Sequence, residues 1–367
     1  MAESLPTHIT DLLPRFHVLR LPMVTRFRGT TEREVLLFEG PDGWAEFSPF
    51  TEYRAPEASR WLHAALEFAG LLPGDSDAAP PSDGGSAPPL EDRTSARPHT
   101  SNSIEVNATL PACLVADVEQ ILDRYGSVGT VKAKVAEHGI DSLPEDLDRL
   151  REFRRLFPTT TLRLDANAGY SLTEAERACE AFAGFGLQYF EQPVAAVEDM
   201  ARLRATLSAQ EIPIVLAADE SIRKAEDPLR VAQLGAAEVI VVKVQPLGGI
   251  ATARSVVEAC GLPAVVSSAL ESSVGLAAGA KLAATLPVTE RSRELLGDSP
   301  ACGLGTARLF AEDVTAGGLN PRDGRIPVTR IVPDPDRLET MAVDPGRRDW
   351  WSSRLQECWT HLLSRRS

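Results

Sequence analysis

The feature that most constrains the fold of this chain is a repeated alternation of short apolar runs with helix-like segments. Eight such runs begin about 24 to 32 residues apart, at 104–112, 130–135, 161–167, 187–193, 213–220, 238–246, 262–270 and 294–298. Strands that alternate with helices predict a parallel sheet, and eight strands favour closure of that sheet into a barrel. The sequence therefore predicts an α/β protein built on a (β/α)7β TIM-like barrel.

The flanking segments predict a second, smaller unit. Residues 15–53 contain strand-like runs around a Pro-Asp-Gly turn, and residues 55–70 have a helical pattern. Residues 72–102 are rich in Pro, Gly, Ser and Asp, which is typical of a flexible linker. We therefore predict three regions, namely a small α+β capping domain at 1–103, a catalytic barrel at 104–310, and a C-terminal segment that completes the cap at 311–367.

Charge and composition argue against several classes of function. The formal net charge of −14 disfavours binding to nucleic acids or anionic membranes, which need clustered positive charge. The N-terminus lacks the features of a signal peptide, and no apolar run approaches the roughly 18 residues that span a bilayer. The five cysteines are scattered without CxxC spacing, which indicates reduced thiols. We expect a cytoplasmic enzyme that acts on a small molecule, without nucleic-acid or membrane partners.

Lysine is rare, and its positions are informative. Only five of the 38 basic residues are Lys, and three of these five fall at predicted strand ends. Active sites of such barrels form where the strands end, and a buried amine beside other cations can titrate near neutral pH, which a guanidinium cannot. Lys134 and Lys243 are therefore candidate bases that face each other across the barrel mouth. Lys132 either lowers the pKa of Lys134 or only neutralises nearby acids.

Three acids, Asp165, Glu191 and Asp219, end consecutive predicted strands. Converging carboxylates repel one another unless a cation lies between them, and oxygen ligands without His or Cys favour Mg²⁺, with Mn²⁺ as the alternative. Such an ion would also bind a substrate carboxylate. The Gly248-Gly249 pair before a predicted helix fits either an anion at the helix N-terminus or a tight turn. Other polar residues near the strand ends are assigned to substrate contacts or to orienting the acids, namely Asn167, Ser267 and Ser268 to the former and Arg163 to the latter.

These motifs resemble those of the enolase superfamily, in its muconate-lactonizing subgroup. The matching segments occur in the order of that subgroup, as Lys132-Ala133-Lys134, DAN at 165–167, EQP at 191–193, ADES at 218–221 and KVQPLGG at 243–249. Within the subgroup, the chain is most similar to the o-succinylbenzoate synthases, through GWAEFSPF at 43–50, VNATLPA at 106–112, RLDAN at 163–167 and SSALESSVG at 267–275. The resemblance implies a Mg²⁺-dependent carbon–oxygen lyase of menaquinone biosynthesis.

That family implies the syn dehydration of a small carboxylate, 2-succinyl-6-hydroxy-2,4-cyclohexadiene-1-carboxylate, to o-succinylbenzoate. Lys134 would take the proton beside the carboxylate and return it to the departing hydroxide, while Lys243 would stay protonated and stabilise the enediolate. N-succinylamino-acid racemases and muconate cycloisomerases remain alternatives on the same scaffold. Dipeptide epimerases are disfavoured, because their DxD pattern on strand eight is replaced by Asp298-Ser299-Pro300.

Overall fold

The structure is a computed structural model that describes residues 5–27, 30–72, 102–223 and 227–366. Within these ranges the strands are β1 (His17–Phe27), β2 (Thr30–Gly40), β3 (Gly43–Phe47), β4 (Ser103–Glu105), β5 (Ala108–Leu110), β6 (Thr130–Lys134), β7 (Thr161–Asp165), β8 (Leu187–Glu191), β9 (Leu216–Ala218), β10 (Val239–Val242), β11 (Ala264–Val266) and β12 (Arg325–Pro327). The helices are α1 (Ile9–Leu12), α2 (Ala55–Phe68), α3 (Val118–Asp123), α4 (Leu143–Leu156), α5 (Leu172–Phe182), α6 (Val197–Ala209), α7 (Glu220–Arg223), α8 (Arg230–Gln233), α9 (Val244–Leu247), α10 (Ile250–Cys260), α11 (Ser273–Thr285), α12 (Glu290–Leu296), α13 (Pro335–Thr340) and α14 (Pro345–Arg366). None of the helices in these ranges is long and apolar enough to cross a membrane.

The parallel strands β5 to β11 pair in chain order, which gives a sheet of seven strands in the described part of the chain. A short extended segment joins the two edges of this sheet. Gly303 forms a parallel bridge with Ser267, just after β11, and Cys302 forms one with Val106, just before β5. The backbone N–H of Gly303 donates to Val266 at 2.8 Å. The predicted TIM-like barrel is therefore confirmed, with this segment in the place of the eighth strand.

The alternation of side chains along each strand decides which residues lie inside the barrel. In β10, Val239 and Val241 belong to an apolar cluster with Tyr189 of β8, Ala217 of β9 and Val265 of β11. The residues of opposite parity belong to the large core beneath the outer helices. Successive side chains of a strand point to opposite faces. Glu191, Asp219 and Lys243 have the inward parity, so each continues the inner row of its strand at the carboxyl end of the barrel.

The predicted eighth strand at 294–298 is wrong, because most of that run belongs to helix α12. The hydroxyl of Thr289 accepts a hydrogen bond from the N–H of Ser292 at 3.1 Å, which caps the helix. Leu296 is buried against the apolar interior of the barrel. A short apolar run fits a strand and a helical turn equally well, and the capping Thr289 was the signal that favours the helix.

Strands β1, β2 and β3 form an antiparallel sheet, with the predicted turn between β2 and β3. Helix α2 coincides with most of the helix predicted at 55–70. Helix α14, from the C-terminal region, packs against this sheet and against α2. Trp351 of α14 contacts Phe47 edge to face at 5.9 Å, and its indole N–H donates to Glu34 at 2.9 Å. These contacts support the division at 1–103, 104–310 and 311–367, which stays a prediction. Residues 73–101 of the predicted linker lie outside the described residues.

Candidate active site

Three predicted residues of strands β6, β7 and β8 meet inside the barrel. The ammonium of Lys132 lies 2.7 Å from Glu191 Oε2 and 3.1 Å from Asp165 Oδ2. All three side chains are buried. The parallel register pairs Lys134 with Asp165 and Asp165 with Glu191, so the strand ends themselves bring these groups level with one another. Lys132 thus neutralises two acids, one of the two roles that the sequence left open.

Lys134 lies one inward position nearer the barrel mouth. Its ammonium forms an ion pair with Asp165 Oδ2 and donates to Asn167 Oδ1 at 2.5 Å. The backbone N–H of Asn167 in turn donates to Asp165 Oδ1 at 3.0 Å. Asn167 has a φ of 47°, a left-handed conformation that Asn tolerates better than most residues. In the structure Asn167 therefore orients Lys134, while its predicted contact with substrate stays a prediction.

Lys243 and Asp219 form a second buried pair, on the side of β9 and β10. The ammonium of Lys243 lies 2.6 Å from Asp219 Oδ2, and the guanidinium of Arg223 donates to Asp219 Oδ1 at 3.0 Å. Gln192 accepts from the N–H of Asp219 at 3.0 Å. Sequence reasoning missed Arg223 and Gln192 as site residues. The signals were their positions inside the ADESIR and EQP segments, next to predicted ligands.

A small cavity opens beside these groups. Its walls carry Lys132, Lys134, Asp165 and Lys243 and the predicted residues Ser267 and Ser268, together with Thr109, Ala269, Leu270, Gly303 and Thr306. The hydroxyl of Ser268 lies 2.8 Å from that of Thr306. Both candidate bases therefore face the same space, and Thr109 and Thr306 are polar wall residues that the sequence did not single out.

The site packs buried charges of both signs against one another. Burial, together with the nearby charge of Asp165, raises the pKa of Glu191 to about 7, against the opposing attraction of Lys132. For Lys132, burial lowers the pKa, but Glu191 and Asp165 outweigh burial, so the net direction is upward. Lys132 is thus held as a cation. A bound metal ion would relieve the repulsion between Glu191 and Asp165 that contributes to the raised pKa of Glu191.

Comparison with known proteins agrees with this geometry. Residues 114–334 match a family model described as enolase C-terminal domain-like, and residues 18–69 match one described as enolase N-terminal domain-like. The o-succinylbenzoate synthase of Mycobacterium marinum is 44% identical over 363 residues, which cover 99% of this chain and 98% of that protein. The o-succinylbenzoate synthase of Mycobacterium leprae is 43% identical over 360 residues, 98% of this chain and 95% of that protein. The chain belongs to the o-succinylbenzoate synthase family of the enolase superfamily.

Solved structures share the fold of this chain. Muconate lactonizing enzyme from Pseudomonas fluorescens, complexed with muconolactone, aligns with a TM-score of 0.65 over 90% of this chain and 98% of that one. The two are 19% identical, so this likeness concerns the fold alone. The predicted membership of the enolase superfamily, with greatest similarity to the o-succinylbenzoate synthases, is confirmed by the family models and these relatives, and with it the assignment as a lyase.

Members of this superfamily depend on a divalent metal, and the acids of this chain fit one by charge. Within the described ranges, no group of three His, Cys, Asp or Glu side chains is arranged to hold an ion as it stands. The lysine ammoniums lie against the acids instead. Glu191 Oε1 is nevertheless buried without any hydrogen-bond partner among the described groups. An orphaned carboxylate oxygen beside two further acids is the environment in which a hard cation binds.

Arg163, predicted to orient the acids, has the inward parity but lies one layer below Asp165. Its guanidinium donates to Gln188 Oε1 at 2.7 Å and to the carbonyl of Ala301 at 2.6 Å, and it stacks on Tyr189 at 4.7 Å. None of the hydrogen bonds described for Arg163 reaches the three acids. The side chain instead ties β7 and β8 to the segment that closes the barrel, so any effect on the acids passes through the strands.

The residues Asp298-Ser299-Pro300, which were predicted on strand eight, lie outside the segment that closes the barrel. Asp298 is exposed and lies before the closing segment, in a loop where its carboxylate pairs with Arg293 at 3.7 Å. The residues that follow the closing segment at its inner end are Leu304-Gly305-Thr306. These residues contain no carboxylate, so the DxD pattern is absent there as well.

Proposed function

We propose that this chain catalyses the syn dehydration of 2-succinyl-6-hydroxy-2,4-cyclohexadiene-1-carboxylate to o-succinylbenzoate, in menaquinone biosynthesis. The observation that carries the proposal is that Lys134, Asp165 and Lys243 line one cavity in a chain 44% identical to a synthase along almost its whole length. The lysines and acids support proton abstraction beside a carboxylate. The sequence identity to a synthase, which extends over almost the whole chain, supports dehydration as the reaction. The substrate is a small carboxylate.

Lys134 is assigned as the base. Its amine takes the proton beside the substrate carboxylate, the ring C–O bond then breaks, and the same proton leaves with the hydroxide as water. One residue can serve both steps because a syn elimination presents the proton and the leaving group on one face of the ring. Asn167 holds the Lys134 amine at 2.5 Å and so fixes its direction. Such positioned proton transfer contributes about 10² to 10⁴ in rate.

Lys243 is assigned to electrostatic stabilisation. Its side chain is buried, and its ammonium is held by Asp219 at 2.6 Å. A fixed positive charge in a dry site stabilises negative charge that develops on the substrate far better than water does. Lys132 contributes by holding Asp165 and Glu191 in place. Ser267 and Ser268 lie on the cavity wall and are proposed to contact the substrate.

Asp165, Glu191 and Asp219 are the proposed ligands of the metal ion, for which Mg²⁺ is the best candidate and Mn²⁺ the alternative. Carboxylate oxygens without nitrogen or sulfur donors favour these hard cations. When bound, the ion would supply positive charge next to the enediolate oxygens. The orphaned Oε1 of Glu191 and its raised pKa support this assignment.

We propose a cytoplasmic location without nucleic-acid or membrane partners. All five cysteines lie in the described residues and carry free thiols, which supports a reducing compartment. The net charge of −14 supports the absence of polyanionic partners.

The decisive experiment is turnover of the purified protein with the hydroxycyclohexadiene carboxylate, followed by ultraviolet absorbance. With Mg²⁺ we expect rapid loss of the diene signal and o-succinylbenzoate as the product, and with excess chelator we expect neither. If folded, metal-loaded protein leaves the diene unchanged, the synthase proposal is wrong.

An N-succinylamino-acid racemase is the second candidate, because both Lys134 and Lys243 face the same cavity. Two bases on opposite sides of a carbon can exchange its proton with inversion, which a dehydratase does not require. Incorporation of solvent deuterium into an N-succinylamino acid, with loss of optical rotation, would establish this activity. A cycloisomerase would be identified by a different product, a lactone formed from a muconate.

A further inference from the structure

A carboxylate of the cap binds the N-terminus of a barrel helix next to the site. Glu67 of α2 accepts from the N–H of Ile250 at 2.7 Å and from that of Ala251 at 3.0 Å, the first two residues of α10. These N–H groups have no partner within the helix, and the N-cap residue Gly249 has no side chain that could bind them. A Cβ at position 249 would lie 1.8 Å from Glu67 Oε2. The glycine is therefore required for the cap carboxylate to reach the helix.

The turn that Glu67 binds begins at the predicted catalytic lysine. Lys243 is the N-cap of α9, and the N–H of Gly249 donates to the carbonyl of Val244 at 2.9 Å, which closes the turn. His63, four residues before Glu67 on α2, lies 2.6 Å from the carbonyl of Gly248. Helix α2 thus holds this turn at two points. The backbone that carries the Lys243 side chain is anchored by the cap as well as by β10.

A second cap carboxylate binds the start of α11. Glu46 of β3 accepts from the N–H of Ser272 at 3.0 Å, from that of Gly275 at 3.2 Å, and from the Ser272 hydroxyl. The hydroxyl of Ser48 donates to Glu46 at 2.6 Å, so the buried carboxylate has polar partners on both domains. A carboxyl oxygen that accepts from N–H groups at a helix N-terminus is stabilising, and here it comes from a residue 226 positions away in the chain.

The loop before α11 forms part of the cavity wall. Arg33 of β2 donates to the carbonyl of Leu270 at 3.2 Å, and Leu270 and Ser268 both line the cavity. Leu270 has a φ of 63°, which is strained for a branched side chain and persists only when its surroundings hold it. Glu46 and Arg33 provide that restraint from the cap.

The half of the site that lies on β6 and β7 is held by the pairing of these strands rather than by the cap. Lys132, Lys134 and Asp165 lie within strands β6 and β7, whose backbone pairing is continuous along five residues. Lys243 and Ser268, by contrast, lie just beyond the ends of β10 and β11. The barrel therefore fixes one half of the site through its own sheet, while the cap anchors the other half.

We propose that Glu67 and Glu46 are positioning residues for the dehydration, and this inference rests on the proposed function. Glu67 sets the position of Lys243 and therefore acts on the rate of the chemical step. Glu46 sets the wall of the cavity at Ser268 and Leu270 and therefore acts on substrate binding. Glu67 therefore affects mainly kcat, and Glu46 affects mainly KM.

The test compares Glu67→Gln and Glu46→Gln with Glu57→Gln, an exposed acid on the same helix as Glu67. We expect Glu67→Gln to lower kcat about tenfold, with KM within about twofold, because small displacements of a charged catalytic group are costly. Glu46→Gln should raise KM about fivefold, with a smaller change in kcat. Glu67→Asp keeps the charge and should recover part of the lost kcat. Glu57→Gln should match the wild type.

Hydrogen–deuterium exchange separates positioning from a loss of folding. Positioning predicts faster exchange confined to residues 243–260 in Glu67→Gln, with a melting temperature close to that of the wild type. The proposal is overturned if kcat stays within twofold, or if kcat falls only in proportion to a smaller folded fraction with exchange raised throughout the barrel. If wild-type protein does not dehydrate the diene, the proposed function fails, and the exchange measurement still decides whether Glu67 anchors this turn.

Discussion

Replacing Lys134 by alanine tests the assignment of the base most directly. The ammonium of Lys134 contacts Asp165 and Asn167 and faces the cavity. Without it, no amine remains at the position from which the proton is proposed to leave. We expect kcat to fall by about 10³ or more, the rate that a positioned base typically contributes. In free energy this loss corresponds to about 4 kcal/mol of transition-state stabilisation.

The metal site should survive the same substitution. Asp165 keeps two other partners, the ammonium of Lys132 at 3.1 Å and the N–H of Asn167 at 3.0 Å. We therefore expect Mg²⁺ affinity to stay within about threefold of the wild type, since the removed cation is one of several neighbours of this acid. Titration calorimetry with Mg²⁺ measures this affinity, and the ultraviolet assay measures turnover.

Two further variants make the result interpretable. Lys134→Arg keeps the positive charge but cannot act as a base near neutral pH, so it should be as inactive as the alanine variant. Lys281→Ala removes an exposed lysine far from the cavity, 6.0 Å from the Phe68 ring, and should retain full activity. If Lys134→Ala turns over within tenfold of the wild type, Lys134 is not the base.

Three other predictions follow from contacts in the barrel. Glu191→Gln should weaken Mg²⁺ binding at least about tenfold, as measured by calorimetry, because it removes a charged ligand. In metal-free protein, the pKa of Glu191 is raised to about 7 by burial and by its acidic neighbours. The folded state therefore keeps this proton between about pH 4.5 and 7 while the unfolded state releases it, so stability falls as pH rises through that window. Melting temperatures should show a flatter pH profile for Glu191→Gln. Arg163→Lys should lower the free energy of unfolding by about 1–3 kcal/mol in urea titrations, because a lysine cannot make all three hydrogen bonds that Arg163 makes to Gln188, Asn107 and Ala301.

Each of these expectations has a result that contradicts it. Unchanged Mg²⁺ affinity in Glu191→Gln would remove this acid from the ligand set. Parallel pH profiles for wild type and variant would mean that other groups account for the acid dependence. An Arg163→Lys protein as stable as the wild type would show that the bonds to Gln188 and Ala301 contribute little to barrel closure.

The grouping of the site residues was predictable because it follows from strand periodicity. A side-chain period of two places Lys132, Lys134 and Asp165 on the inner face once the strands are located. The parallel register then brings strand ends level, so acids far apart in sequence become neighbours. Buried Val and Ile on the opposite parity confirm that the strands were identified on the correct face.

The parts that failed depend on contacts that a linear pattern does not contain. The eighth strand was misplaced because its backbone pairing is confined to a few residues around Cys302 and Gly303, too short to show any periodicity. The sequence placed Arg163 on the right face but could not show that it lies one layer below Asp165, since parity does not reveal depth along the barrel. The contact of Glu67 with the start of α10 could not be predicted from the sequence, because its partner Ile250 lies 183 residues further along the chain.

The joining of α14 to the N-terminal sheet has a consequence for the order in which the molecule is made. Glu34 of β2 is bound by Arg347 and Trp351, which follow it by 313 and 317 residues. A ribosome must deliver the entire barrel between these partners, at about 5–20 residues per second. For roughly a quarter of a minute or longer, the first sheet therefore exists without the contacts that Arg347 and Trp351 of α14 make with it.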